Sequence, residues 1–246
     1  MRTWLLYGTI ALLTFIGILV AYAPASLAWN LIKADVDRAV PDLELLTVDG
    51  SIWTGEAQLR YREFPPAELL WSLHPASLAG LTVALDATLR GDGLLATGSG
   101  ERGSGLASID ATGHIDSSYI NPVSTRYGLA FPGRLDIETL SLAFDNAWFT
   151  AADGTLSWNG GTVVIENFQG RQVLELPPLV GDLSLDERNL KLNVTSEGAT
   201  LIDVTLKPNG WAVVDMKARL LDIAGLPVRA DVNPDVSAIV IEEKLF

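Results

Sequence analysis

The sequence predicts an all-β domain behind a single N-terminal membrane helix. Three observations carry this: a charge-free apolar run at the start, apolar–polar alternation in many short stretches after it, and Gly, Asn and Asp punctuation between those stretches. The expected fold is a curved, mainly antiparallel sheet of many short strands, each with one polar face.

The first element is the membrane run. No charged side chain occurs between Thr3 and Ile32, and Trp4–Ala23 (WLLYGTIALLTFIGILVAYA) is almost wholly apolar. That matches the roughly 20 residues a helix needs to cross a bilayer core. Trp4 and Tyr7 stand at one end and Tyr22 and Trp29 at the other, where amphipathic rings prefer the interface. Arg2 precedes the run, and Asp35 and Asp37 follow it among Lys33 and Arg38. The positive-inside tendency then leaves a short N-terminus in the cytoplasm and the bulk of the chain outside the inner membrane. A signal peptide cleaved after Ser26-Leu27-Ala28 is the competing reading. Signal h-regions run to about 7–15 residues, so the longer run favours an uncleaved anchor. The expected division is residues 1–28 as start and anchor and 29–246 as a periplasmic β-rich domain. Residues 29–40 prolong the anchor as a short amphipathic helix that ends before Pro41.

Beyond that proline the period changes to two. In SIWTGEAQLRY (51–61), Trp53, Gly55, Ala57, Leu59 and Tyr61 share one face, while Ile52, Thr54, Glu56, Gln58 and Arg60 share the other. LTVALDATLR (81–90) repeats the pattern, with Leu81, Val83, Leu85, Ala87 and Leu89 inward. Further strands are expected at 134–145, 155–159, 162–168, 182–186, 189–195, 200–206, 211–220 and 236–242. The phase slips once near Thr139–Leu140, which is the mark of a β-bulge.

Two stretches share a grammar: VDGSIWTGEA (48–57) and ADGTLSWNGG (152–161). Trp53 with Gly55 and Trp158 with Gly160 each read as a bulky plug beside a gap in a sheet core. The spacing fits an internal duplication with halves near 41–130 and 131–246. It fits coincidence equally well, since Asp-Gly and Asn-Gly turns are common in β proteins.

Composition excludes several functions. Thirty acidic against 17 basic side chains give a net charge of −13, and no basic cluster exists to hold a phosphate backbone, so nucleic acid is not a partner. The absence of cysteine removes disulfides, Cys-ligated zinc and thiol catalysis. His74 and His114 do not make a three-histidine zinc site. No nucleophile elbow, P-loop or dinucleotide fingerprint occurs. The glycine-rich GDGLLATGSGERGSG (91–105) lacks the Lys-Ser/Thr ending of a phosphate cradle and reads as a flexible hairpin or loop. Asn193-Val194-Thr195 fits a glycosylation sequon, a pattern frequent by chance. No catalytic, cofactor-binding or metal-binding residue is expected, and the chain reads as a scaffold or binding surface rather than an enzyme.

GSIWTGEA, WSLHPASLAG (71–80), SWNGG and LPPLVGDLSLDERNLKLNV (176–194), with the single anchor and the short tail ending in Phe246, resemble the type II secretion system protein N family. The resemblance implies an inner-membrane accessory subunit of the machine that exports folded proteins from the periplasm. Its partners would be other subunits of that system, and it supplies no catalytic residues. WSLHPASLAG is also similar to a class of elongated periplasmic β proteins that carry lipid, so a lipid-binding β-groove is the alternative. The two differ in one respect: whether the apolar sheet face is a closed core or an open groove.

Overall fold

The computed structural model describes residues 14–15, 17–18, 20–167, 170–226 and 232–244. Strand accounts for 59% of the chain, and one antiparallel sheet dominates. Trp4, Tyr7 and most of the expected anchor lie outside the described residues. Among those described, no helix is long and apolar enough to cross a membrane.

Helix α1 (Ala25–Ala39) starts after Pro24 and ends two residues before Pro41. It lies against β1 (Leu43–Gly50), the first strand of a 13-stranded sheet. There follow β2 (Thr54–Tyr61), β3 (Ala67–Leu73), β4 (Val83–Gly91), β5 (Leu94–Arg102) and β6 (Leu106–Asp116), each paired with its predecessor. A two-residue strand, β7 (Leu129–Ala130), leaves this sheet. The main sheet resumes with β8 (Arg134–Asp145) and β9 (Phe149–Trp158). The hairpin β10 (Gly161–Asn167) and β11 (Gly170–Leu176) joins β7 in a separate small sheet. Strands β12 (Leu179–Asp186), β13 (Asn189–Ser196), β14 (Ala199–Leu206), β15 (Trp211–Lys217) and β16 (Ser237–Lys244) complete the order. Because β6 pairs directly with β8, the two sequence halves form one continuous sheet.

Local chemistry explains the joints. Glu187-Arg188 and Glu197-Gly198 both have positive φ at each residue, which makes them the primed two-residue turns that match strand twist. The expected bulge is at Glu138: both neighbours of β8 skip a register step beside it. Two helices recur at one kind of joint. α2 (Ser117–Ser124) follows β6 and α3 (Ala218–Ile223) follows β15. In each, the first amide donates to the carbonyl just ahead of the returning strand: Ser117 to Gly133 at 2.8 Å, Ala218 to Val236 at 2.9 Å.

Several expectations need correction. The strand expected over 211–220 stops at Lys217, where the chain turns into α3. Leu81 is no inward strand residue. It caps a 3-10 helix (Pro75–Gly80) with φ +59°, 88% exposed, and β4 begins two residues later. The sequence pattern marks none of β1, β3, β5, β6, β7 and β11. Within 91–105, Gly98 and Gly100 belong to the regular strand β5, while Gly93, Gly103 and Gly105 lie in the hairpin turns at its ends. A Cβ at Gly98 would lie 2.3 Å from the Asp110 carbonyl, and one at Gly113 would lie 2.2 Å from that of Leu95, so β5 and β6 need glycine to approach this closely.

Candidate binding face

Cross-strand register brings the apolar positions of all 13 strands to a single face. One row across it reads Ala57, Leu69, Leu89, Ala96, Gly113, Ile137. It continues through Leu156, Gly181, Val194, Ile202, Met216 and Ile239. A parallel row runs from Gly55 through Trp71, Ala87, Gly98, Ala111 and Leu140. Charge enters only at margins, with Arg102 opposite Val83 and Glu243 opposite Ala212. Thirteen strands at about 4.8 Å make the face roughly 55–60 Å long along the sheet.

Among the described residues, the elements in extensive contact with this sheet beyond its own strands are helices at its two ends, at β4 and beside β6. The extensive contacts are between hydrogen-bonded neighbours, plus α1 on β1, α2 beside β6 and β7, and α3 on β14–β16. Buried apolar side chains are few among the described residues: Leu201, on β14 beside α3, is the one large side chain fully buried, and Val163 and Leu174 face each other in the small sheet. The accessible surface is 15587 Å². A compact monomer of this mass would expose about 10,600 Å². The chain therefore leaves far more surface in water than a closed globule of its mass.

The layer bends toward its apolar side. Ala87, Ala96, Gly98 and Ala111 are half-buried without a second layer, whereas Thr97, Ser99, Thr112 and Ser141 on the opposite face are exposed. Small side chains become shielded this way when neighbours crowd the concave side of a curved sheet. A cavity of about 550 Å³ agrees with this. It is lined by Arg38 near the end of α1 together with Arg102, Leu106, Phe144 and Asp145, from strands far along the sheet.

The opposite face is a ladder of charge. Arg60 meets Glu44, Arg90 meets Glu68, His74 meets Asp86 at 2.8 Å, and Arg134 meets Asp116 at 2.7 Å. Glu68 holds the Arg90 guanidinium above its ordinary range, and Arg134 holds the Asp116 carboxyl below its own. These pairs are exposed and contribute little each. The least exposed charges are on β14 and β15. Lys217 Nζ lies 2.6 Å from Asp215 and 3.1 Å from Asp203, bridging two carboxylates that stand directly opposite each other. Asp215 and Asp203 raise the Lys217 ammonium, while Lys217 and then Ser237 lower Asp215. At the β8–β9 turn the Trp148 and Ala147 amides donate to Asp145 and depress its carboxyl. Among the described residues no group of three or more His, Asp or Glu is placed to hold a metal ion.

The sequence-predicted residues are placed as follows. Trp53 is half-buried at the bend before β2, and its indole N–H donates to the Val20 carbonyl at 3.1 Å. With the Ile52 amide on Ala23 and the Pro24–Ser51 bridge, this ties the start of the sheet to the N-terminal segment. Trp158 ends β9 and donates to the Pro132 carbonyl at 2.9 Å. Neither glycine makes room for its own tryptophan. A Cβ on Gly55 would meet Trp71, its cross-strand partner, at 2.4 Å, and one on Gly160 would meet the Leu176 carbonyl and Pro177–Pro178. Gly160 also has φ +79°. Tyr22 is 81% exposed, and Trp29 is half-buried within α1. Trp71, the indole actually seated over a glycine, carried no sequence signal beyond its place in WSLHPASLAG.

No curated protein and no solved structure matches the chain. A family model described as type II secretion system (T2SS), protein N, matches residues 41–227, a span that runs from the start of β1 to just beyond α3. The chain belongs to the type II secretion system protein N family.

Proposed function

We propose that this chain is an inner-membrane-anchored accessory subunit of the type II secretion system. The run Trp4–Ala23 holds it in the membrane, residues 29–246 work in the periplasm, and other subunits of the system are its partners. It performs no turnover. Family membership supports the secretion role, and one geometric observation supports docking through protein contacts. The two edges of the large sheet are unlike. α1 lies against β1, whereas β16 pairs with β15 alone among the described residues. All eight residues of β16 are exposed, with Ile239, Val240 and Ile241 at 41%, 53% and 48%. An open strand carrying apolar side chains on both faces is a template for strand addition by a partner.

The test uses the full chain in its own membrane. Deletion should abolish or reduce export of the system's substrates, and wild-type chain should restore it. Val240→Lys, which places a charge on the open edge, should restore expression but not export. A single cysteine at Ser237 should crosslink to another secretion subunit, the chain having no native cysteine to confuse the result. Unchanged export on deletion would refute the proposal.

A further inference from the structure

We infer that the concave apolar face of the sheet is a trough for the acyl chains of phospholipid. The face asks nothing of its occupant except apolar surface. Its backbone polar groups are spent on the sheet ladders, and no charged side chain stands on it away from the margins at Arg102 and Glu243. Specific protein interfaces include about one hydrogen bond per 100–200 Å². A face tens of ångströms long whose side-chain donors are few, the Trp71 and Trp158 indoles and the Tyr61 hydroxyl among them, does not fit that pattern. It fits hydrocarbon, which has none to offer.

Shape narrows the choice further. Small residues cluster between large ones along the rows, as Ala87, Gly98 and Ala111 do between Trp71 and Leu140, so the floor is grooved rather than flat. A second copy is a poor occupant. Two concave faces set against each other enclose a tunnel instead of a packed core, and each copy carries a charge of −13. Exposed apolar surface marks interaction sites, and Val83, Ile109, Ile239 and Ile241 expose it on this face from β4 to β16. Supply is also at hand. The first strands are tied through Trp53, Ile52 and Ser51 to Val20, Ala23 and Pro24, the end of the apolar N-terminal run. The trough therefore begins beside the segment that would lie in the bilayer.

Strand alternation supplies an internally controlled test. A photo-crosslinking residue is placed singly at Ile109 or Leu142 on the apolar face, and at Asp110 or Ser141 on the polar face. Each pair of positions is adjacent in the chain and equally distant from the membrane. Full-length protein is irradiated in cells whose phospholipid carries radioactive phosphate. The expected result is at least about tenfold more label at Ile109 and Leu142 than at Asp110 and Ser141, following the period of two. Equal label on both faces, crosslinks to a protein or to a second copy in place of lipid, or no label anywhere would each overturn the inference. Protease resistance of each variant checks folding, and Val83, 39% exposed on the same face, replaces any position that fails. A loss of export on deletion with no lipid label would leave the secretion role standing and remove the trough.

Discussion

Gly55→Ala tests how the apolar face is built, because the space beside this glycine is occupied from two directions. An ideal Cβ would sit 2.4 Å from the Asp49 carbonyl oxygen on β1 and 2.4 Å from Trp71 Cζ2 on β3. The carbonyl belongs to the β1–β2 hairpin, where Gly50 pairs with Gly55, and it cannot yield without opening that pairing. Overpacking of this kind costs about 1–3 kcal/mol. Replacing glycine also stiffens the unfolded chain, which returns about 0.4–1 kcal/mol. A net loss centred on about 1.3 kcal/mol remains, equivalent to a fall in Tm of about 3–5 °C for a domain of this size. Thermal melting of the full chain in detergent gives the answer. Gly80→Ala is the control, since its Cβ would find only Thr82 Oγ1 at 3.9 Å and its φ is not left-handed. Trp71→Leu in the Gly55→Ala background should recover part of the loss, because the indole clash goes and the carbonyl clash stays. A Gly55→Ala variant as stable as wild type would refute the seating of Trp71 over Gly55.

Three other outcomes are expected. Leu201→Ala, at the one fully buried large side chain, should cost about 2–5 kcal/mol by denaturant titration. Trp158→Phe should keep most of the ring packing but lose the hydrogen bond to Pro132, destabilising by about 0.5–1.5 kcal/mol in the same titration. Asp215 is depressed in the folded state, so its contribution is complete above about pH 4 and lost as pH falls through its folded value. Lys217 is raised, so its contribution is complete below about pH 10.4 and lost as pH rises through its folded value. Lys217→Met should flatten both limbs in melting curves taken across pH.

The legible parts of the fold were those where one residue type sets one face. Period two in 51–61 places Glu56, Gln58 and Arg60 in water and Ala57 inside, as found, although the strand begins only at Thr54; in 81–90, Val83 at the start of β4 is exposed instead of inward. The phase slip beside Thr139 marked the bulge because an extra residue must reverse the alternation after it. Strand β5 was not legible: Gly98 and Gly100 resemble loop residues, and only the closeness of β6 explains them. The start of α3 is hidden because Ala218 and Leu220 continue the alternation of Ala212, Val214 and Met216 with Asp215, Lys217 and Arg219 between them. At the candidate face, alternation showed that a polar and an apolar side exist. It did not show that the apolar side stays uncovered, since a half-buried leucine reads the same under a second layer as in an open trough. The Trp-x-Gly pairs misled for a related reason. Two residues on one strand share a face, but the side chain that fills a glycine's gap comes from the neighbouring strand.

Cysteine accessibility on the two faces tests the open sheet most directly. Single cysteines at Ala111, Thr112 and Leu201 in the otherwise cysteine-free full chain are challenged with a small maleimide in detergent. If the apolar face is open, Ala111→Cys reacts within about tenfold of Thr112→Cys, while Leu201→Cys reacts only through local unfolding and far more slowly. Protection of Ala111→Cys to the level of Leu201→Cys would mean that the face is a closed core, and the open trough would be contradicted.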